Sequence, residues 1–182
     1  WFDAVRLIME PEDPDDVLKE VLGHFDLREQ KVALDDRAWA QTVFTFREAL
    51  PDTVLQTASE ILAPMRMIKE PEAIALMRQA GEITDHVWKR ALSRLREGIT
   101  EFEVETEVDY QFRKLGAAYN SFPTSVRFSG PGHANEPSNI SSTEKSLKPQ
   151  DAITVDFGCV YKSYCSDFGR SAFFGDPPEE RS

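Results

Sequence analysis

Residues 151–174 limit the possible folds of this chain more than any other part of the sequence, because their pattern predicts two β-strands joined by a tight turn. In the first half, DAITVDFG, the apolar residues Ile153, Val155 and Phe157 alternate with polar or small ones. A period of two places these three side chains on one face of a strand and Asp156 on the other. The second half, CVYKSYCSDFGRSAFFG, predicts the partner strand of a β-hairpin.

A carboxylate in the middle of a strand needs an explanation, since Asp is depleted in strands. If the hairpin turns at Tyr161 and Lys162, Asp156 lies directly opposite a second carboxylate, Asp167. Directly opposed Cβ atoms are about 5 Å apart, and like charges at that distance destabilise a sheet. A shared proton, the guanidinium of Arg170, or one or two bridging divalent cations would offset the repulsion. A hairpin with both charges in water is the other alternative.

Two helices and a further strand are predicted before this hairpin. Pro71 suits the first turn of a helix and Gly98 the position just past its end. Apolar residues recur at helical spacing between them and predict a broad buried stripe that includes Ile74 and Met77. Thr100 and Glu103 have the T-x-x-E spacing of a capping box, which predicts the start of a second helix. After Gly116 the apolar period changes to two, and SFPTSVRFSG predicts a strand. Helices followed by paired strands indicate a mixed α/β (α+β) fold.

The first 63 residues show a different order of elements. A helix is predicted from Pro14 to Phe25, a strand at KVALDD, a helix over residues 36–49 and a strand at TVLQTA. Helices that alternate with strands indicate an α/β arrangement. About 60 residues are few for an independent domain, so we interpret them as the end of a domain that begins upstream. The first residue is Trp1 and not Met, which is expected of a piece of a longer chain.

The composition narrows the classes of function. The chain has 21 Lys and Arg against 32 Asp and Glu, a formal net charge of -11, so binding to nucleic-acid phosphates is not expected. Its two cysteines, Cys159 and Cys165, are predicted on opposite faces of the hairpin, so no disulfide is expected between them. No apolar run approaches the ~20 residues of a membrane span, and no signal peptide is visible. We therefore expect a cytoplasmic protein that does not bind membranes.

Three stretches carry a resemblance to a known family: MRMIKEPEAIALMRQAGEI, REGITEFEVE and DAITVDFGCVYKSYCSDFGRSAFFGDPPEE. They resemble the prolidase, aminopeptidase P and creatinase group of pita-bread metallopeptidases, and the match is nearly continuous from about residue 60 to about residue 180. The resemblance implies that residues 64–182 are the first half of a pita-bread catalytic domain. It also implies that residues 1–63 are the C-terminal part of the N-terminal α/β domain.

The resemblance assigns roles to the two carboxylates. Asp156 of the VDFG strand and Asp167 of the SDFGR segment match the family's first two ligands of a pair of divalent metal ions. Carboxylate ligands favour manganese or cobalt, with zinc as an alternative. In the family a His and two Glu residues from a downstream half complete the centre. The 182-residue chain alone is therefore expected to bind metal weakly and to be inactive, and no catalytic residue is assigned within it.

The sequence departs from the family pattern at two places near this site. Relatives have a substrate-binding His in a stretch like SGPNxxxPH before VDFG, whereas this chain has Pro137 and Ser138 there. Its only histidine in that loop is His133, to which we assign the substrate-binding role, with a solvent-exposed loop histidine as the alternative. Gly169 stands where many relatives have Thr, which changes the rim of the site without removing a ligand.

For the intact protein, the resemblance implies metal-dependent hydrolysis of Xaa-Pro bonds by an aminopeptidase or dipeptidase. The expected substrate is a peptide with proline in the second position. Relatives are often dimers, so a homodimer is expected. Two other functions stay open: a pita-bread pseudoenzyme that binds peptide or protein, and a creatinase-like hydrolase that is not a peptidase.

Overall fold

The computed structural model describes residues 5–25, 27, 29–133 and 141–176. The contacts divide the chain into two compact units, Trp1–Ile68 and Lys69–Ser182. The assignment of residues 1–63 to the end of an N-terminal domain and of residues 64–182 to half of a catalytic domain stays a prediction. Within the described ranges, no helix is both long enough and apolar enough to span a bilayer.

The first unit contains a parallel pair of strands connected through a helix. Strands β1 (Lys31–Leu34) and β2 (Val54–Thr57) pair in parallel, with Lys31 opposite Val54. The intervening helix α2 (Ala40–Ala49) makes this parallel connection possible. The four elements predicted from the sequence are present, although α2 begins at Ala40 and not at residue 36. Helix α3 was not predicted because Pro64 lies inside it. The elements are α1 (Pro14–Gly23), β1 (Lys31–Leu34), α2 (Ala40–Ala49), β2 (Val54–Thr57) and α3 (Ser59–Met67).

The second unit packs two helices against antiparallel strands. The helices are α4 (Pro71–Leu92) and α5 (Glu101–Lys114), and the strands are β3 (Tyr119–Asn120), β4 (Ser125–Ser129), β5 (Ala152–Phe157), β6 (Cys159–Tyr161), β7 (Tyr164–Cys165) and β8 (Phe168–Phe173). Among the described residues, the strands pair in the orders β4-β5-β8 and β3-β6-β7. Helix α4 ends before Gly98, the residue at which the sequence predicted its end.

The apolar face of β5 lies in the core of this unit. Ile153, Val155 and Phe157 are fully buried, as their alternation predicted. The Phe157 ring lies 6.0 Å from the ring of Trp88 in α4 and 6.1 Å from that of Phe112 in α5, measured between centroids. The helices therefore cover one face of β5 and leave its other face to the polar side chains.

The first turns of α4 do not belong to this core. The sequence placed Ile74 and Met77 in a buried stripe, but their exposed fractions are 41% and 39%. That part of the prediction is wrong, because the fully buried residues of α4 begin at Ala80. Helical spacing alone does not tell how far along a helix the sheet extends.

The predicted capping box begins helix α5. The backbone N–H of Thr100 donates to Glu103 Oε2 at 2.8 Å, and the N–H of Glu103 donates to Thr100 Oγ1 at 3.1 Å. The bond from the Thr100 backbone lowers the pKa of Glu103. A lowered pKa means that the carboxylate stabilises the fold above its unfolded-state pKa, and that this contribution is lost as the pH falls through the folded-state value.

We expect Thr100→Ala to lower the free energy of unfolding by about 1 kcal/mol, because it removes the side-chain acceptor of an otherwise unpaired helix N–H. Urea denaturation monitored by circular dichroism measures the difference. Thr106→Ala is the matched control, since Thr106 lies exposed on the same helix and bonds only to the carbonyl of Phe102. Equal losses in the two variants would contradict the role of the cap.

Candidate metal centre

The turn of the hairpin lies one residue further along the chain than predicted. Lys162 and Ser163 form it, with φ values of 46° and 71°, as a two-residue type I′ turn requires. Tyr161 pairs with Tyr164 and stays in its strand. A left-handed conformation is costly for a bulky residue such as Tyr161, which explains why the turn avoids it.

The new register changes the relation between the two carboxylates. Asp156 lies opposite Gly169 in β8, so the prediction that Asp156 directly faces Asp167 is wrong. The same register continues on both sides of the break, with Phe157 opposite Phe168 and the N–H of Ser166 donating to the carbonyl of Cys159. Asp167 is therefore a diagonal neighbour of Asp156. Diagonal side chains in a regular ladder lie about 7–8 Å apart, which leaves more room for cations than direct opposition does.

Asp156 lies on the open face of β5. Its neighbours Val155 and Phe157 are fully buried on the core face, whereas Asp156 and Thr154 are exposed. The ladder holds its backbone from both sides, through Ser125 in β4 and Gly169 in β8. A Cβ placed on Gly169 would meet no atom within 4 Å, so the space beside Asp156 is open there.

Asp167 lies in the gap between β7 and β8 and is also exposed. Neither the Asp156 nor the Asp167 carboxylate has a hydrogen-bond or ion-pair partner within the part of the chain that the structure describes. An exposed ion pair would stabilise the fold little, but two unpartnered like charges on one surface are unfavourable. This arrangement suits a ligand of opposite charge.

The side chain of Arg170 does not offset these charges. Arg170 lies opposite Val155, a residue of the core face, and its Nη2 atom is 3.2 Å from Asp85 Oδ1 in α4. Its guanidinium group also lies over the ring of Phe168, 4.4 Å from the centroid. Arg170 is therefore excluded as the group that offsets the charges of Asp156 and Asp167. A shared proton, divalent cations and solvent remain as the alternatives.

The chemistry of the two carboxylates fits divalent cations that prefer oxygen ligands. Two carboxylates, however, supply only part of the ligands that a pair of such cations needs. Within residues 5–25, 27, 29–133 and 141–176, no group of three or more His, Cys, Asp or Glu side chains is placed to hold a metal ion. The described residues therefore offer two carboxylates and no further ligand cluster.

His133 occupies a buried position and not a solvated one. Its side chain is 6% exposed, and its Nε2 atom lies 2.7 Å from Oδ2 of Asp151, which is fully buried. The same oxygen accepts a hydrogen bond from the N–H of Lys148 at 2.7 Å. Pro137 and Ser138, where relatives have histidine, lie outside the described residues. The substrate-binding role of His133 stays a prediction.

No local pattern predicts the contact between His133 and Asp151, because 18 positions separate them. Asp151 directly precedes β5, so its only visible feature was a charge at the start of an apolar strand. The cysteines agree with the prediction: Cys159 is buried, Cys165 is exposed, and both are free thiols.

An antiparallel hairpin with two carboxylates on its open face, covered on the other face by two helices, defines a candidate site for divalent cations. Comparison with known proteins gives the family. The sequence profile of metallopeptidase family M24 matches residues 75–182, which is more than half of the chain. The chain belongs to metallopeptidase family M24.

Curated relatives match a large part of the chain. It is 31% identical over 139 residues to the uncharacterized peptidase YqhT of Bacillus subtilis, a match that covers 76% of this chain and 38% of that protein. It is 35% identical over 111 residues to the Xaa-Pro aminopeptidase of Escherichia coli, covering 61% of this chain and 24% of the relative. The chain thus spans well under half of the length of these relatives.

Solved structures support the fold. A recombinant prolidase from Thermococcus sibiricus superposes with a TM-score of 0.87 at 26% identity, covering 99% of this chain and 48% of the prolidase. An X-Pro aminopeptidase from Thermotoga maritima gives a TM-score of 0.73 at 28% identity, covering 94% of this chain and 48% of that chain. The predicted mixed α/β pita-bread fold is therefore confirmed over about half of those chains. Membership of this family implies a metallopeptidase with divalent metal ions.

Proposed function

We propose that the intact protein is a metallopeptidase that hydrolyses Xaa-Pro bonds, with Asp156 and Asp167 as ligands of two divalent metal ions. The observation that carries the proposal is the pair of exposed, unpartnered carboxylates on one surface of the hairpin. The names of the relatives, an Xaa-Pro aminopeptidase and a prolidase, support the substrate class. Manganese or cobalt suits oxygen ligands best, and zinc is the alternative.

The two carboxylates have a defined task in this proposal. Divalent ions held by these carboxylates would supply Lewis acidity for activating a water molecule and polarising the scissile carbonyl. Ionised carboxylates only accept, so Asp156 and Asp167 supply negative charge and oxygen ligands. Asp156 projects from a strand that is paired on both sides, which fixes its direction before metal binds. Neither residue is proposed as the general base.

We also propose that His133 contacts the substrate through Nδ1, because Asp151 already engages Nε2. The buried carboxylate of Asp151 fixes the orientation of the imidazole and so the direction in which Nδ1 points. The exposed free thiol of Cys165 supports a reducing compartment, and we propose a cytoplasmic location.

The test uses the intact protein, freed of metal and then loaded with manganese. Hydrolysis of Ala-Pro and of Ala-Pro-Ala is compared with that of Ala-Ala and Ala-Ala-Ala. We expect turnover of the proline peptides only, its loss with EDTA and its return with manganese. The ratio of the two proline peptides separates dipeptidase from aminopeptidase. Peptide binding without turnover would contradict the proposal and favour a pseudoenzyme, and hydrolysis of creatine alone would favour the creatinase-like alternative.

A further inference from the structure

The two proposed ligands are held in different ways. Asp156 lies inside β5, where both neighbouring strands pair with it. Asp167 lies between β7 and β8, at the one place where the ladder of the hairpin is interrupted opposite Gly158. The direction of the Asp167 side chain therefore depends on what holds its neighbour in the chain, Ser166.

Ser166 is held by hydrogen bonds at each of its polar groups. It is 6% exposed, its N–H donates to the carbonyl of Cys159 at 2.9 Å, and its carbonyl accepts from Ser121 Oγ at 2.7 Å. Its hydroxyl oxygen accepts from the N–H of Cys159 at 3.0 Å and lies 2.7 Å from Thr84 Oγ1. Thr84, in helix α4, is fully buried.

The direction of the hydrogen bonds at Thr84 follows from counting protons. The Thr84 hydroxyl donates its proton to the carbonyl of Ala80 at 2.9 Å, so at the 2.7 Å contact it accepts from the Ser166 hydroxyl. The carbonyl of Cys159, another acceptor within reach of that hydroxyl, is farther away at 3.4 Å. The resulting chain of bonds runs from the N–H of Cys159 through Ser166 and Thr84 to helix α4. These hydrogen bonds connect Ser166, the residue before Asp167, to helix α4.

The backbone at Gly158 fits closely against the same point. A Cβ on Gly158 would lie 2.1 Å from the carbonyl oxygen of Ser166 and 2.5 Å from Ser121 Oγ. Only a residue without a side chain allows this approach. Gly158 and Ser121 therefore restrain the carbonyl side of Ser166, and Thr84 restrains its hydroxyl.

We propose that Thr84 and Ser121 are positioning residues for Asp167: they fix Ser166 from two elements and so aim the neighbouring carboxylate at the metal site beside Asp156. This inference rests on the proposed function, in which Asp167 is a metal ligand. Both residues act through Ser166 and contact neither metal nor substrate. Their loss should weaken metal binding and leave substrate affinity unchanged.

The test compares Thr84→Val, which keeps the shape of the side chain and removes its hydroxyl, with Thr84→Ser, which keeps the hydroxyl. Manganese is titrated into the metal-free intact protein by calorimetry, and kcat and KM for Ala-Pro are measured. We expect Thr84→Val to weaken binding of at least one manganese ion by about 10–100-fold, the range seen for groups that orient ligands. At limiting manganese kcat should fall in parallel with unchanged KM, and Thr84→Ser should restore both wild-type values.

Ser121→Ala is a second variant at a less buried position, and it keeps the proposal testable if Thr84→Val does not fold. It should weaken the same manganese site. Wild-type manganese affinity in a folded Thr84→Val or Ser121→Ala variant, with only a lower denaturation midpoint, would overturn the inference and leave the proposed function intact. Absence of manganese binding by the wild-type protein would instead overturn the proposed function and this inference together.

Discussion

Asp156→Asn in the intact protein should lower kcat for an Xaa-Pro dipeptide by about 10³-fold, since the Lewis-acid and bound-water effects of a metal centre contribute several kcal/mol to transition-state stabilisation. The amide keeps the shape of the side chain but loses the negative charge. Asp167→Asn should have an effect of the same order. Because both residues serve one centre, the double variant should lose little more than either single variant. Steady-state kinetics at saturating manganese measures all three.

Asp85→Asn is the matched control for these substitutions. Asp85 is an exposed aspartate in the same unit, paired with Arg170 on the helix side of the hairpin, so its loss should leave kcat unchanged. A similar fall in kcat for Asp85→Asn would show that any lost charge has this effect. Full activity of Asp156→Asn would remove Asp156 from the metal centre.

The largest expected effect on stability is that of Glu101→Ala, about 3–5 kcal/mol lost from the free energy of unfolding, as when one partner of a buried charge network is removed. Glu101 is 2% exposed. It accepts hydrogen bonds from the N–H groups of Phe128 at 2.8 Å and Ser142 at 2.9 Å. Arg127 and Lys145 approach the same carboxylate at 3.5 and 3.6 Å. Alanine would remove this buried acceptor from the N–H groups of Phe128 and Ser142.

Two further variants separate the reasons for that loss. Glu97→Ala removes an exposed glutamate just before α5 and should change the free energy of unfolding by less than about 0.5 kcal/mol. Glu101→Gln keeps one acceptor oxygen and should fall between the two, since the amide N–H₂ group faces a donor. Urea denaturation of the metal-free chain measures the series. Equal stability of Glu101→Ala and Glu97→Ala would contradict the role of Glu101 as the acceptor that joins α5 to β4.

The parts of the fold set by local patterns could be predicted from the sequence. The alternation of Ile153, Val155 and Phe157 gave the strand and its buried face correctly, because a period of two leaves no other choice of face. The T-x-x-E spacing gave the cap of α5 for the same kind of reason, since both of its hydrogen bonds lie within four consecutive residues. The assignment of Asp156 and Asp167 as ligands in a metallopeptidase came from the family resemblance and not from their spacing.

The position of the turn could not be predicted from the alternation of apolar and polar residues. When the turn moves by one residue, each residue pairs with a partner two positions further along the opposite strand. Every side chain then stays on the same face of the hairpin, so the alternation of apolar and polar residues fits either register. The choice depended on which pair of residues accepts positive φ, and Lys162 and Ser163 do so instead of Tyr161. The predicted face of Asp156 was therefore correct while its predicted partner was wrong.

Contacts between distant residues could not be predicted from the sequence. Glu101 and Phe128 are 27 positions apart, and Thr84 and Ser166 are 82 positions apart. Single polar residues of this kind have no periodicity, and their partners become neighbours only after the helices pack on the sheet. The first contact joins α5 to β4, and the second holds Ser166, the residue before Asp167, against α4.

Metal content of the intact protein after exhaustive dialysis, measured by inductively coupled plasma mass spectrometry, tests the central claim most directly. The account predicts about two divalent ions per wild-type chain, as in two-metal hydrolases, and fewer than one in the double variant of Asp156→Asn and Asp167→Asn. Fewer than one ion in the wild type, or an unchanged content in the double variant, would contradict the assignment of these two carboxylates as metal ligands.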